Sequence, residues 1–243
     1  MHNNTQLFIT QVDQEEPLTD DYMKNLSVDN LIYAMDEGKL KVLLAKYKQG
    51  AAANKWGLIG HWVKFDEDLD SAAHRVVTQA TGVKNFHLDQ LATFGNVKRY
   101  PYHRIITVAY YAFVRKDEVN IVHGDNTHEV AWFDVKKLPD LIFDHKEIIV
   151  ASLAHLKYKV RHEPIGFSLL PEKFTLFQLQ EIYEAILDTK LDKPNFRRKI
   201  QKMNLLINCK EKQQDVAHRA AALFRFDINV YEKLKDFGFN FEY

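Results

Sequence analysis

The chain has 243 residues, and its 33 basic and 33 acidic side chains give a formal net charge of zero. This balance excludes a basic protein, so any nucleic-acid-binding surface has to be confined to one segment. The single cysteine, Cys209, excludes an internal disulfide. No apolar run reaches the roughly 18 residues of a membrane helix, and the N-terminus lacks a signal-peptide pattern. We therefore expect a cytoplasmic protein with no membrane partner.

Strand-like and helix-like segments are mixed in the larger, N-terminal part of the chain. An apolar stripe from Leu69 to Ala80 repeats every three or four residues and predicts an amphipathic helix that stops at Gly82. A second such helix is predicted to begin near Phe143. This mixture indicates an α/β sandwich. The predicted strands cover residues 28–35, 39–46, 55–63, 86–97, 104–114 and 129–134.

The segment 157–173 contains two prolines and one glycine and has no periodicity, which predicts a domain boundary. After it, Thr175 and Gln178 form a capping-box pattern that opens a helix ending near Asp188. A helix at 193–203, a strand at 205–209, a polar loop at 210–220 and a strand at 222–226 are predicted to follow. This order is typical of a winged helix. The predicted parts are an N-terminal extension at 1–26, an effector domain at 27–160 and a winged-helix domain at 165–243.

The helix predicted at 193–203 separates apolar from polar side chains. On a helical wheel, Phe196, Ile200 and Met203 share the inner side. Between residues 190 and 219 there are nine basic and three acidic side chains, although the whole chain is neutral. Arginine can read guanine, asparagine and glutamine can read adenine, and lysine can neutralise phosphate. A solvated basic face is the simpler alternative. The predicted DNA-contacting residues are Asn195, Arg197, Arg198, Lys199, Gln201 and Lys202 on the helix, with Lys210, Lys212, His218 and Arg219 in the wing.

Residues 60–83, GHWVKFDEDLDSAAHRVVTQATGV, resemble a Nudix box. Aligning Gly82 with the final glycine of that motif places its first glutamate at Glu67 and its arginine at Arg75. The three helix glutamates of the motif would stand where this chain has Val76, Gln79 and Ala80. Because Mg²⁺ requires oxygen ligands, mainly carboxylates, we expect no catalytic residue, no bound metal and no cofactor.

The two halves together resemble the Nudix-related transcriptional regulator family, over roughly residues 27–235. The run from Asn195 to Lys199 is especially similar to the DNA-binding domain of that family. The resemblance implies a Nudix-like α/β/α sandwich followed by a C-terminal winged helix-turn-helix domain. It also implies a bacterial repressor of carbohydrate use that binds double-stranded operator DNA. The chain is most similar to the members that respond to pentoses, notably L-arabinose.

The missing carboxylates favour an uncharged effector, and the resemblance implies a sugar such as L-arabinose. A sugar pocket needs polar groups for the hydroxyls and an aromatic face for the C–H side. Each candidate also has a structural alternative, as a core residue or as part of a solvated loop. The candidates near the expected cleft are Lys55, Trp56, His61, Trp62, Tyr102, His103, Arg104 and His145.

Two other functions stay open. One is an active Nudix-type hydrolase of ADP-ribose or a nucleotide sugar with a substituted metal site, which turnover with Mg²⁺ would reveal. The other is an RNA- or protein-binding adaptor, which binding to duplex and single-stranded probes at several salt concentrations would separate. For a regulator of palindromic operators we expect a homodimer.

Overall fold

The computed structural model describes residues 21–84, 86–118, 121, 127–214 and 219–236. The first domain contains a mixed sheet and two long helices. Its strands are β1 (Tyr22–Asp36), β2 (Lys39–Tyr47), β3 (Trp56–Gly57), β4 (Ile59–Lys64), β5 (Asp89–Phe94), β6 (Ile106–Phe113) and β7 (Thr127–Asp134). Its helices are α1 (Leu69–Thr81) and α2 (His145–His162).

The long strand β1 organises the sheet, whose order is β3-β2-β1-β6-β5 among the described strands. It runs parallel to β6 and antiparallel to β2 and β4, and β7 pairs with the other edge of β2. Helices cover both faces, so successive residues of β1 are buried on opposite sides. Ile32 packs in the core beneath α1, whereas Leu31 and Tyr33 pack in the core beneath α2. The first domain is therefore an α/β/α sandwich, as the sequence predicted.

The second domain has the predicted winged-helix order. Its elements are helices α3 (Leu176–Leu187) and α4 (Lys193–Lys202), strands β8 (Leu206–Lys212) and β9 (Ala222–Phe226), and helix α5 (Ile228–Asp236). Thr175 and Gln178 form the capping box that opens α3. Asp192 caps α4 by accepting a hydrogen bond from the Asn195 backbone N–H at 3.0 Å. The sequence therefore identifies the starts of both helices correctly.

The two domains share one hydrophobic core. Tyr33 and Leu44 of the sheet belong to the same buried cluster as Tyr183 of α3 and Phe196 of α4. Helix α3 packs against both α2 and β2. A surface ion pair between Lys136 and Asp188 also joins the domains. The winged-helix domain consequently packs directly against the first domain.

Several boundaries differ from the sequence predictions. Strand β1 begins at Tyr22, inside the predicted N-terminal extension, because its first residues pair with β4 and β6. Helix α2 continues to His162, into the predicted boundary segment, and ends two residues before Pro164. Helix α5 is absent from the prediction. Its Val230, Tyr231 and Leu234 pack on the shared core. Among the helices described, none has the length and apolar character required to span a bilayer.

Gly60 brings β4 unusually close to β1. It lies opposite Asp29 in the β1–β4 register. A methyl group at this position would lie 2.1 Å from Asp29 Oδ1 and 2.9 Å from the backbone oxygen of Val28. We expect Gly60→Ala to lower the free energy of unfolding by about 1–3 kcal/mol through overpacking, as measured by denaturant unfolding.

Gly95→Ala is the matched control, because a methyl group there would meet its nearest neighbours at 3.8 Å, an ordinary contact distance. This variant is expected to change the free energy of unfolding by less than about 1 kcal/mol. A Gly60→Ala variant as stable as the Gly95→Ala variant would contradict the close approach of β4 and β1.

Candidate nucleic-acid interface and effector pocket

Helix α4 buries one side and exposes the other. Phe196 and Ile200 are each 1% exposed, and the Phe196 ring lies 5.4 Å from the ring of Tyr183. Arg197 lies at the flank and is half-buried. On the outer side, Arg198 Nη2 donates a hydrogen bond to Asn195 Oδ1 at 2.9 Å. The predicted DNA-contacting residues of α4 that are exposed are Asn195, Arg198, Lys199, Gln201 and Lys202.

Strands β8 and β9 form the antiparallel ribbon of a wing. Lys210 and Lys212, which were predicted in the wing loop, lie instead in β8, because pairing of Lys212 with Ala222 extends the ribbon. Lys210 has a φ of 57° at the register shift in this ribbon. Both lysines and Arg219 are exposed, whereas His218 lies outside the described residues. The ribbon therefore carries basic side chains next to α4 in the chain.

The Nudix-like box keeps the loop and helix of the motif but lacks the carboxylates of that helix. Glu67 accepts hydrogen bonds from Arg75 Nε at 2.8 Å and from the Lys64 backbone N–H at 2.8 Å. Hydrogen bonds from Arg75 are the main cause that lowers the pKa of the Glu67 carboxyl. Val76 and Ala80 are buried apolar residues of α1. These residues do not fit a Mg²⁺ ion, because the motif positions offer no carboxylate and Glu67 is occupied by Arg75.

A buried network of charges lies at the end of the sheet. Arg99 donates to Asp144 through Nε at 3.0 Å and Nη2 at 2.9 Å, and its Nη2 lies 3.3 Å from Asp29 Oδ2. His145 Nδ1 accepts the Leu58 backbone N–H at 2.9 Å, so the ring proton belongs on Nε2, 3.7 Å from Asp29 Oδ1. Burial is the main cause that lowers the pKa of the His145 ring. The network ties β1 and the loop after β5 to the start of α2.

Aromatic side chains cluster next to this network. Trp62 stacks on His103 with ring centroids 5.7 Å apart, and Tyr100 lies 5.2 Å from His103. Tyr100 also contacts Tyr102 at 5.4 Å and Phe143 at 4.9 Å. Tyr102 is 40% and Phe143 38% exposed, so solvent reaches these two rings. We call these five residues the aromatic cluster.

The structure brings together only part of the predicted effector set. Trp62, Tyr102 and His103 belong to the aromatic cluster. His145 lies beside it, 5.9 Å from the ring of Phe143, but is buried, with Nδ1 bonded to the Leu58 N–H and Nε2 3.7 Å from Asp29 Oδ1. It therefore lies in the interior, whereas Tyr102 is exposed.

The other predicted residues make ring contacts elsewhere or are exposed. Trp56 packs edge-on against Phe133 at 4.7 Å, and His61 packs against Tyr22 at 5.0 Å. Lys55 and Arg104 are exposed. Sequence reasoning missed the residues Asp29, Arg99, Tyr100, Phe143 and Asp144. The carboxylate of Asp29 in the middle of an apolar strand was the available signal, since buried charges require partners.

Two protein families match the chain. Residues 23–152 match the NUDIX domain, and residues 166–226 match the NrtR DNA-binding winged helix domain. The chain is 33% identical over 220 residues to the ADPR responsive transcriptional repressor NtrR of Acinetobacter baylyi, covering 89% of this chain and 85% of the relative.

Solved structures of NrtR are also similar to this chain. Shewanella oneidensis NrtR complexed with a 27mer DNA has a TM-score of 0.73 and 28% identity, covering 83% of this chain and 93% of that one. The NUDIX domain of S. oneidensis NrtR complexed with ADP ribose has a TM-score of 0.50 and 28% identity, covering 55% of this chain and 89% of that one.

These comparisons confirm the predicted fold. They do not support the predicted similarity to arabinose-responsive regulators, because ADP-ribose, and not a pentose, appears in the names of these relatives. The chain belongs to the NrtR family of regulators, in which a Nudix domain is followed by a DNA-binding winged helix.

Proposed function

We propose that this chain is a transcriptional repressor that binds operator DNA through α4 and the β8–β9 wing, and that ADP-ribose or a closely related nucleotide weakens this binding. The main support for this proposal is that helix α4 has a buried apolar side and an exposed polar side. Phe196 and Ile200 fix its inner side in the core, and arginine, lysine and amide side chains project from the outer side. Such side chains can contact base edges and phosphates in a major groove.

ADP-ribose replaces the predicted pentose as the proposed effector. Support comes from the relatives named above and from the aromatic cluster, whose exposed rings suit an adenine base better than a small sugar. Arg104 is exposed beside His103 and offers a positive charge to a diphosphate. The proposed pocket is lined by Trp62, Tyr100, Tyr102, His103 and Arg104.

We propose that the chain binds its nucleotide without hydrolysing it. Val76, Gln79 and Ala80 offer no carboxylate for Mg²⁺, and Glu67 is held by Arg75. The alternative is a Nudix-type hydrolase with a substituted metal site, and the last prediction below distinguishes the two.

A homodimer remains part of the proposal. One α4 can read only a short stretch of duplex, whereas two helices related by a two-fold axis read both halves of a palindrome.

Arg198→Ala is expected to weaken operator binding about tenfold to hundredfold, which corresponds to a lost base contact of about 1–3 kcal/mol. The probe is a duplex selected from random-sequence DNA by the parent protein, and affinity is measured by fluorescence anisotropy at fixed salt. Arg161→Ala is the matched control, since Arg161 is an exposed arginine of α2 outside the proposed interface. Its affinity should equal that of the parent.

Phe196→Ala separates folding from DNA contact. It should lower the free energy of unfolding by about 3–5 kcal/mol through a core cavity, whereas Arg198→Ala should melt like the parent. An Arg198→Ala variant that melts like Phe196→Ala, or binds the duplex like the parent, would refute the placement of the interface.

ADP-ribose is expected to release the selected duplex, and L-arabinose at the same concentration is not. Tyr102→Ala should weaken the response to ADP-ribose about tenfold or more, because a base loses its stacking partner. Tyr158→Ala, which removes another exposed tyrosine, should leave the response unchanged. Release by L-arabinose but not by ADP-ribose would overturn the proposed effector.

No hydrolysis of ADP-ribose is expected when the protein is incubated with Mg²⁺ and the products AMP and ribose 5-phosphate are followed by chromatography. An active Nudix hydrolase run in parallel shows that the assay detects turnover. Mg²⁺-dependent release of AMP at enzyme-like rates, of about 1 s⁻¹ or more, would establish the alternative.

A further inference from the structure

The turn before α2 holds Phe143 in a backbone conformation that a bulky side chain disfavours. Its φ is 49°, in the left-handed region, and it is the only apolar residue among the described non-glycine residues with a positive φ. Burial of the ring does not explain this conformation, because the side chain is 38% exposed. Strained residues persist where the surrounding structure imposes them, and they are concentrated at ligand sites and switch regions.

Hydrogen bonds on both sides fix this turn. Before Phe143, the Ile142 backbone N–H donates to the Trp56 backbone oxygen at 2.9 Å. After it, the two carboxylate oxygens of Asp144 accept hydrogen bonds from Arg99 at 2.9 and 3.0 Å. Asp144 is the N-cap residue of α2, but its side chain makes no capping hydrogen bond. Asp144 therefore has two alternative partners, which are the guanidinium of Arg99 and the backbone N–H groups in the first turn of α2.

The aromatic cluster and this ion pair join the same two segments of the chain. Arg99 directly precedes Tyr100, and Phe143 directly precedes Asp144. The rings of Tyr100 and Phe143 lie 4.9 Å apart, and the charges of Arg99 and Asp144 are paired. A ligand that stacks on these two rings therefore acts on residues bonded directly to both members of the ion pair.

Helix α2 connects this turn to the DNA-binding domain. It packs against α3, and its residues Ile148 and Ile149 belong to the buried cluster that also contains Phe196 of α4. Protein interiors are close-packed and transmit displacements instead of absorbing them. A change in the first turn of α2 is consequently transmitted to the core on which α4 is seated.

We propose that Phe143 is a further nucleotide-contacting residue and that Asp144 is the positioning residue through which the bound nucleotide weakens DNA binding. Without nucleotide, Asp144 pairs with Arg99. With nucleotide, Asp144 exchanges Arg99 for the backbone N–H groups of α2, while Arg99 keeps Asp29 and gains the negative charge of the diphosphate. The two partners of Asp144 thus define two discrete positions of the start of α2. This inference rests on the proposed response to ADP-ribose.

Asp144→Asn tests the exchange, because asparagine caps a helix as well as aspartate does but lacks the charge that holds Arg99. Without nucleotide, this variant is expected to bind the selected duplex about 5- to 150-fold more weakly than the parent, as the parent does with saturating ADP-ribose. Calorimetry without DNA should show that it binds ADP-ribose at least as tightly as the parent. A merely structural defect would weaken both affinities. Asp140→Asn, at an exposed position before the same helix, is the control and should change neither.

Phe143→Leu tests the contact, because leucine keeps an apolar side chain and removes the ring. It should weaken ADP-ribose binding about tenfold and leave duplex binding without nucleotide unchanged. Phe65→Leu is its control, since Phe65 is exposed outside the aromatic cluster. Melting curves show whether each variant is folded, and the partly exposed Phe143 decides the question if Asp144→Asn unfolds.

The parent protein separates the two proposals. If ADP-ribose does not release the duplex from the parent, the proposed function is wrong and this inference fails with it. If the parent responds but Asp144→Asn binds the duplex like the parent, or loses both affinities, or Phe143→Leu binds ADP-ribose like the parent, only this inference is overturned.

Discussion

A buried guanidinium organises the end of the first domain where the aromatic cluster lies. The Arg99 side chain is 5% exposed, and its charge is met by Asp144 and Asp29. Removing such charges from water costs several kcal/mol per ion, and only close, well-directed pairing compensates for that cost. Neither partner can therefore move away alone without leaving an unpaired charge in the interior. These ion pairs consequently fix β1, the loop that carries Tyr100 and the start of α2 relative to one another.

Helix α2 extends this constraint to the winged helix. Its 18 residues span about 27 Å, with Asp144 at the start and Glu163 just past the end. Between these points Ile148, Ile149 and Leu156 pack in the core shared with α3. A nucleotide that displaced Tyr100 would act on Arg99, and through Asp144 on a rigid helix packed against the DNA-binding domain. Coupling of this kind requires an element with two discrete positions. Helix α2 joins the start of the proposed nucleotide pocket to α3 of the second domain.

The sequence was informative where structure depends on neighbouring residues. Thr175 and Gln178 identify the start of α3, and the wheel orients α4 because Phe196 and Ile200 are apolar positions in a basic helix. Elements that depend on residues far away in the chain could not be predicted from local sequence patterns. The polar start of β1 is a strand only because β4 and β6 pair with it, and α5 depends on the core it covers. Asp29 and Arg99 are 70 residues apart, and no local pattern links them.

In the Nudix-like box, the backbone arrangement of the motif is kept although its helix carboxylates are absent. Arg75 donates to Glu67 and also, at 3.0 Å, to the backbone oxygen of Trp62. These bonds close the loop between β4 and α1 and need no metal. Val76 adds buried apolar surface to the core beneath α1, where a carboxylate would need a cation as its partner. The ion pair that remains fixes the backbone of Trp62, and Trp62 supports His103 in the aromatic cluster. The retained part of the box thus supports the proposed nucleotide pocket, while the substituted positions offer no carboxylate.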